Sequence, residues 1–167
     1  MEATLAILNE LEAAGLVERY AIGGAMAGFF YAEAVVTEDL DAFALLKTPA
    51  TGVITLTAIY DFLKQRGATV EREHLWLAGT LVQLIPTFDA LTEEAVREAV
   101  DQTVGQVKTR VMRVEHLIAI ALKTGRAKDH ARIALLLDEA AIEGGRLQEI
   151  LHRHGLQDRW KKFNLKP

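Results

Sequence analysis

Residues 20–46, YAIGGAMAGFFYAEAVVTEDLDAFALL, contain the pattern that decides the fold. A short apolar stretch ends at Gly23-Gly24, a compact helix rich in alanine and glycine follows, and a second apolar stretch begins at Asp39. Residues two apart in a strand face the same side of a sheet, so Asp39 and Asp41 are predicted to point the same way, about 7 Å apart. Two hard oxygen ligands beside a helix N-terminus suit a divalent cation and the phosphates that it carries.

The second stretch is apolar enough to be a central strand, because Leu40, Phe43 and Leu45 surround the two acids. Unpaired carboxylates are unfavourable in a buried strand unless a positive charge lies against them. A bound metal is the simplest explanation, and a solvated strand end is the alternative. For Gly23-Gly24 the alternative is a tight turn between strand and helix.

The composition is that of a packed globular protein: 167 residues, half of them hydrophobic and a quarter charged. No apolar run approaches the roughly 18 residues of a membrane span. The N-terminal residues are acidic where a signal peptide would be basic. The absence of cysteine excludes a disulfide framework and a thiolate zinc site. We expect a cytoplasmic protein with no membrane partner.

The charge is divided unevenly along the chain. Residues 1–101 contain 6 basic and 16 acidic residues, whereas residues 102–167 contain 13 basic and 7 acidic residues. An acidic half that holds metal and a basic half that faces phosphate would fit a nucleotide or nucleic-acid partner. Two differently solvated surfaces explain the same asymmetry.

Hydrophobic periodicity and glycine positions predict an α+β fold: a small mixed β-sheet flanked by helices in residues 1–112, followed by a C-terminal helical bundle packed on it in residues 113–167. The expected helices span residues 3–15, 25–32, 55–66 and 92–102. The expected strands span residues 18–22, 39–46, 69–78, 81–85 and 106–112, with a loop at 47–52 and a hairpin at Gly79-Thr80. Beyond Val114 the pattern is helical, with breaks at Gly125, Gly144-Gly145 and Gly155.

A Gly-Gly turn that opens a helix, followed by Thr37-x-Asp39-x-Asp41 on the next strand, resembles the nucleotidyltransferase superfamily with the polymerase-beta-type fold. The helical segment EHLIAIALKTGRAKDHARIALLL, residues 115–137, resembles bacterial nucleotidyltransferase-like proteins related to abortive-infection and toxin–antitoxin enzymes. The resemblance covers nearly the whole chain. It implies a short mixed sheet and transfer of a nucleoside monophosphate from a nucleoside triphosphate to a hydroxyl.

The resemblance also implies roles for individual residues. Gly23 and Gly24 would let the backbone approach the triphosphate, next to Thr37, while Asp39 and Asp41 would hold one or two Mg²⁺ or Mn²⁺ ions. This is consistent with phosphoryl transfer, which needs positioning and charge neutralisation more than covalent chemistry.

In related proteins a lysine and a Lys-Asp pair of the helical part face the nucleotide, which implies that role for Lys123 and Lys128. Lys123 would steady the β- and γ-phosphates as a point charge. Arg132 follows Asp129 by three residues and Lys128 by four, so a surface salt-bridge ladder explains this group equally well.

One position departs from the family. Active members have a third carboxylate on a later strand, often the base for the incoming hydroxyl, and the matching position here is Gln83. An amide orients a group by hydrogen bonds but cannot take a proton. Glu71 and Glu73 are candidate substitutes, although an exposed strand face explains them better.

Two hypotheses of different classes follow. The first is a Mg²⁺-dependent nucleotidyltransferase that acts on a protein side chain, an RNA end or a small molecule. The second is a degenerate transferase fold that binds nucleotide or a protein partner without turnover, such as one half of a toxin–antitoxin pair. A DNA-binding regulator is a poorer third alternative, because no helix-turn-helix pattern is evident.

Overall fold

The computed structural model describes residues 1–33, 37–46 and 56–164. Within these ranges the chain forms one seven-stranded mixed sheet and eight helices. In chain order the elements are α1 (Glu2–Ala13), β1 (Arg19–Ile22), α2 (Gly24–Gly28), β2 (Asp39–Leu45), α3 (Thr57–Gln65), β3 (Thr69–Glu71), β4 (His74–Leu77), β5 (Thr80–Pro86), α4 (Ala90–Arg97), β6 (Val100–Val104), β7 (Val107–Val111), α5 (Val114–Thr124), α6 (Ala127–Glu139), α7 (Gly144–Arg153) and α8 (Gln157–Asn164). The expected α+β fold is confirmed.

Strand β2 lies at the centre of the sheet, whose strand order is β3-β4-β5-β2-β1-β7-β6. It runs antiparallel to β1 and parallel to β5. The register with β5 places Asp39 opposite Leu81 and Asp41 opposite Gln83. The acidic pair therefore lies in the middle of the sheet and not at its edge.

The two faces of the sheet are covered differently. On one face Leu40, Ala42, Val82 and Leu84 are buried. Helix α1 packs there, where its Asn9 accepts a hydrogen bond of 2.7 Å from the Tyr20 hydroxyl. The opposite face carries the two acids and Gln83 and is overlaid by residues of α5 and α6.

The prediction of a helix over residues 92–102 is wrong at both ends. The helix α4 begins earlier, because the Asp89 carboxylate accepts hydrogen bonds from two backbone N–H groups of its first turn. It ends at Arg97, and residues 100–104 form strand β6. Gly105, at a φ of +59°, makes the tight turn that pairs β6 with β7.

The predicted strand over residues 69–78 is two strands. A turn at Arg72-Glu73 separates β3 from β4 and brings Glu71 opposite His74. The following hairpin is confirmed, but its turn is one residue earlier than predicted: Ala78 and Gly79, both at positive φ, form the turn, and Thr80 begins β5 opposite Leu77. Helix α2 is shorter than expected, and the predicted loop at residues 47–52 lies outside the described residues.

The helices after residue 113 are broken at Gly125 and near Gly155 as predicted, but Gly144 and Gly145 are the first residues of α7, and the break before that helix lies at residues 140–143. Gly125 ends α5 in the left-handed conformation, at a φ of +72°. Helix α5 is buried along most of its length. The division into parts 1–112 and 113–167 stays a prediction. In the described part of the chain, no helix has the length and apolarity that a bilayer crossing requires.

Candidate active site

Asp39 and Asp41 lie side by side on β2 and line the same cavity, of about 450 Å³. Its walls come from the loop before β2, from β2 and β5 of the sheet, and from the segment that begins α6. The lining residues are Ala25, Thr37, Asp39, Asp41, Gln83, Arg126, Lys128, Ala131, Arg132 and Leu135. A smaller cavity of about 190 Å³ shares Asp41, Gln83, Arg126 and Arg132 with it, so the two form one groove beneath α5 and α6.

The Gly-Gly turn is fitted tightly to β2. The backbone N–H of Gly23 donates to the carbonyl of Asp41 at 2.9 Å. Gly24 has a φ of +59°, and a Cβ atom there would lie 1.6 Å from Oδ2 of Asp41. Only glycine meets both conditions. The backbone at Gly24 therefore lies close to Asp41, and a side chain there would close the groove over that acid, while the predicted approach to a triphosphate stays a prediction.

Asp39 is held in an ionised state by its neighbours. The Thr37 hydroxyl donates to Oδ1 of Asp39 at 2.5 Å, and Nε2 of His74 lies 3.7 Å from Oδ2. The hydrogen bond from Thr37 holds the pKa of the Asp39 carboxyl below its usual value against the opposing effect of burial, and His74 and Lys128 act in the same direction.

Asp41 has the opposite environment. Burial, and then the charge of Asp39, raise the pKa of its carboxyl, while Arg132, His74 and Lys128 oppose the increase from a distance. Among the described residues, no side chain donates a hydrogen bond to Asp41 or forms an ion pair with it. Two carboxylates of which one has no direct partner form a donor set that fits a hard divalent cation.

Three cations face the acidic pair from the segment that begins α6: Arg126, Lys128 and Arg132 all line the larger cavity. Asp129, whose side chain is 1% exposed, holds two of them. Both oxygens of its carboxylate accept from the Arg126 guanidinium, at 2.7 and 3.1 Å, and Arg132 lies at 3.8 Å. Burial opposes ionisation of Asp129, but the bonds from Arg126 outweigh it and lower the pKa. Asp129 therefore positions these arginines.

The predicted site residues divide into two groups. Gly24, Thr37, Asp39, Asp41 and Lys128 come together around the groove, and Gly23 forms the turn beneath it. Lys123 does not line either cavity; its ammonium lies 3.3 Å from Asp89, at the start of α4. Its nucleotide-binding role stays a prediction without geometric support.

Gln83 occupies the place expected of a third carboxylate, directly opposite Asp41 and lining both cavities. Neither candidate substitute is there. Glu71 is exposed on β3, and Glu73, in the next turn, is 65% exposed and contacts His74 at 4.0 Å. The third acid of the groove is Asp129, which the helical part supplies. The contact of His74 with Asp39 was missed, because it depends on the hairpin register that brings β4 beside β5.

A second group of metal-ligand type lies away from this groove. Donor atoms of Glu94, Glu98 and His116 lie within 4.8 Å of one another. Arg153 and His154 also donate to Glu94, at 2.6 and 2.9 Å, and Arg146 lies 3.6 Å from Glu98. The acids of this group are therefore already neutralised by cations of α7, and the group joins α4 and α5 to α7.

No protein-family model and no curated protein matches the chain. Solved structures do. The solution structure of the antibiotic-resistance factor ANT(2″)-Ia shares 15% identity and a TM-score of 0.55, covering 98% of this chain and 97% of that chain. The crystal structure of ANT(2″)-Ia with adenylyl-2″-tobramycin shares 15% identity with a TM-score of 0.55, covering 92% of this chain and 94% of that chain. A nucleotidyltransferase-like protein from Paracoccidioides brasiliensis shares 12% identity with a TM-score of 0.54, covering 98% of this chain and 91% of that chain.

At these identities the likeness shows the fold: the chain has the nucleotidyltransferase fold over nearly its whole length. The expected fold is thus supported. The relation to abortive-infection and toxin–antitoxin enzymes stays a prediction.

Proposed function

We propose that this protein is a divalent-metal-dependent nucleotidyltransferase, which transfers a nucleoside monophosphate from a nucleoside triphosphate to a hydroxyl. The observation that carries the proposal is the pair Asp39 and Asp41, side by side in a groove and faced by three cations of another element. An acidic pair of which one member has no direct partner, together with cations for phosphate on the other side, is what a metal–triphosphate complex requires.

Each residue of the groove has a task in this reaction. Asp39 and Asp41 would hold Mg²⁺ or Mn²⁺, which when bound neutralises charge on the phosphates. Lys128, Arg126 and Arg132 offset the remaining charge of the triphosphate. Gly24 keeps the floor of the groove free of a side chain. The acceptor oxygen forms a bond to the α-phosphorus, the bond from that phosphorus to the bridging oxygen breaks, and pyrophosphate leaves.

The acceptor must lose its hydroxyl proton in this reaction, and Gln83 cannot take it. The Gln83 amide can accept a hydrogen bond from the hydroxyl and orient it beside Asp41. Without a third carboxylate, the proton passes to water, and we expect slower turnover than a site with a dedicated base would give.

Gln83 also favours a second candidate, a degenerate transferase that binds nucleotide or a partner protein without turnover. A protein partner, as in a toxin–antitoxin pair, belongs to this alternative. The two candidates differ in product and not in nucleotide affinity, because both keep the acidic pair and the facing cations.

Label transfer from α-³²P nucleoside triphosphates with Mg²⁺ or Mn²⁺ separates them, with cell extract divided into small-molecule, RNA and protein fractions as acceptors. The transferase predicts a labelled product that Asp41→Asn abolishes. The matched control is Asp101→Asn, which removes one exposed carboxylate on β6 of the same sheet and should leave transfer unchanged. Nucleotide binding without any labelled product would support the degenerate candidate and contradict the transferase.

A further inference from the structure

Trp76 is a large aromatic side chain that the fold leaves 48% exposed, in the middle of β4. Its neighbours along the strand, Leu75 and Leu77, point to the other face and are buried. Trp76 therefore stands on the face of the sheet that carries the acidic pair.

The strand registers connect Trp76 to the candidate active site. Asp39 is opposite Leu81 on β5, and Leu81 is opposite Trp76 on β4, so the three residues form one row across the sheet. Neighbouring strands lie about 4.8 Å apart, which puts Trp76 about 10 Å from Asp39. His74, two residues before Trp76, extends to 3.7 Å from Asp39. The face of β4 is thus continuous with the groove.

In the proposed reaction, Gln83 indicates the side on which the acceptor would bind. The attacking and leaving oxygens of phosphoryl transfer lie roughly in line, on opposite sides of the phosphorus. The cations that suit the leaving pyrophosphate come from the segment that begins α6. Gln83, the residue suited to orient a hydroxyl, lies on β5, the neighbour of β4. An acceptor held beyond Gln83 would rest on the open face of β4.

The chemistry of that face limits the acceptor. An indole face stacks on planar or sugar rings and attracts cations. Glu71 at the end of β3 and Glu73 in the following turn are exposed near it and outnumber the one exposed cation between them, Arg72, which disfavours a polyanion. On the basis of the proposed function, we infer that Trp76 is the stacking platform for the acceptor, a ring-bearing hydroxyl compound that is uncharged or cationic, and that RNA is not the acceptor.

Fluorescence tests the platform directly, because the chain has two tryptophans. The other, Trp160, stacks on Phe163, and Trp160→Phe leaves Trp76 as the reporter. The probes are tobramycin as a cationic ring compound, maltotriose as a neutral one and a short oligoadenylate as an anionic one, each with Mg²⁺ and a non-hydrolysable ATP analogue. We expect a saturable change of emission with tobramycin or maltotriose. A change with the oligoadenylate alone, or with none of the three, would overturn the inference.

Kinetics on the acceptor found by label transfer give the second readout. Trp76→Ala should raise the acceptor KM about tenfold while kcat and the KM for nucleotide stay unchanged, and Trp76→Phe should retain most of the affinity. Equal acceptor KM values in wild type and Trp76→Ala would overturn the inference. Failure of the proposed function has a different signature, since the wild type would then form no labelled product in the transfer assay with any acceptor fraction, whatever the emission of Trp76 reports.

Discussion

Asp41 lies in surroundings that disfavour the charged form of its carboxyl. Burial and the neighbouring Asp39 raise the pKa of its carboxyl, and no described side chain donates to it. A group with a raised acid pKa in the folded state destabilises the fold at pH values above its unfolded pKa of 3.8, and that effect disappears as the pH falls. Sites that must bind a ligand commonly lower the stability of the ligand-free protein in this way.

Asp41→Asn should therefore stabilise the metal-free protein at pH 7, by about 1 kcal/mol or a few degrees in the midpoint of thermal unfolding. The gain should shrink as the pH is lowered toward 3.8. Thermal melts of both proteins across pH 4–8 measure it. Asp101→Asn is the control, and a metal-free Asp41→Asn protein less stable than the wild type at pH 7 would contradict this account of the site.

Gly24 offers a second prediction at this scale. Gly24→Ala should destabilise by about 2 kcal/mol or more, because it adds a clash with Asp41 to the strain of a positive φ. Gly67→Ala is a matched control, since Gly67 has a φ of +86° and nothing within 4 Å of an added Cβ. Chemical denaturation of both variants separates the two effects. Equal decreases in the free energy of unfolding would mean that an added side chain at Gly24 does not clash with Asp41.

At the scale of elements, helices α4, α5 and α7 meet at the carboxylate of Glu94. Burial opposes ionisation of Glu94, but hydrogen bonds from Arg153, His154 and His116 lower its pKa to about 2. Burial also lowers the pKa of His116, whose side chain is fully buried. Both shifts act in the same direction: the unfolded chain binds protons before the folded one, so acid weakens the fold.

The stability that Glu94 contributes should be complete above pH 4.5 and lost as the pH falls from 4.5 to about 2. Glu94→Gln should cost roughly 1 to 3 kcal/mol at pH 7 and flatten the acid-unfolding curve in that window. Denaturant titrations at a series of pH values measure both effects. The exposed Asp138→Asn on α6 serves as control, and an unchanged acid slope in Glu94→Gln would refute the assignment.

Gln83 on strand β5 allows a prediction about catalysis. Gln83→Glu places a carboxylate where a base for the acceptor hydroxyl belongs, opposite Asp41. In the presence of Mg²⁺ it should raise the rate of label transfer about tenfold or more. Gln83→Leu, which keeps no polar group, should lower the rate. A decrease in both variants would mean that Gln83 itself has the catalytic task.

The sequence predicted most elements because their signals are local. The Gly-Gly turn, the alternation around Asp39 and Asp41, and the break at Gly125 each depend on a few neighbouring residues. Strand β6 was missed, since its short alternation followed a helix signal without a break, and only pairing with β7 makes it a strand. The contact of His74 with Asp39 depends on the same kind of long-range register.

At the scale of the whole molecule, the acidic and basic halves of the chain meet at the groove. Asp39 and Asp41 belong to the first half, and Arg126, Lys128 and Arg132 to the second. Composition predicted this complementarity but not which cations take part. Lys123 is the lysine that the family resemblance implies for nucleotide binding, yet its ammonium pairs with Asp89. The buried Asp129 instead positions two arginines near the acids. Which cations line the groove depends on how α6 packs over the sheet.

Thermal unfolding with and without Mg²⁺ and a non-hydrolysable nucleoside triphosphate analogue tests the central claim most directly, in the wild type and in Asp41→Asn. At a ligand concentration one hundred times Kd, binding stabilises by about 2.7 kcal/mol, or roughly 5–10 °C for a chain of this length. We predict that increase for the wild type, only in the presence of the metal, and its loss in Asp41→Asn. An equal increase in both proteins, or none with the analogue of any of the four bases, would contradict a metal–nucleotide site on the acidic pair.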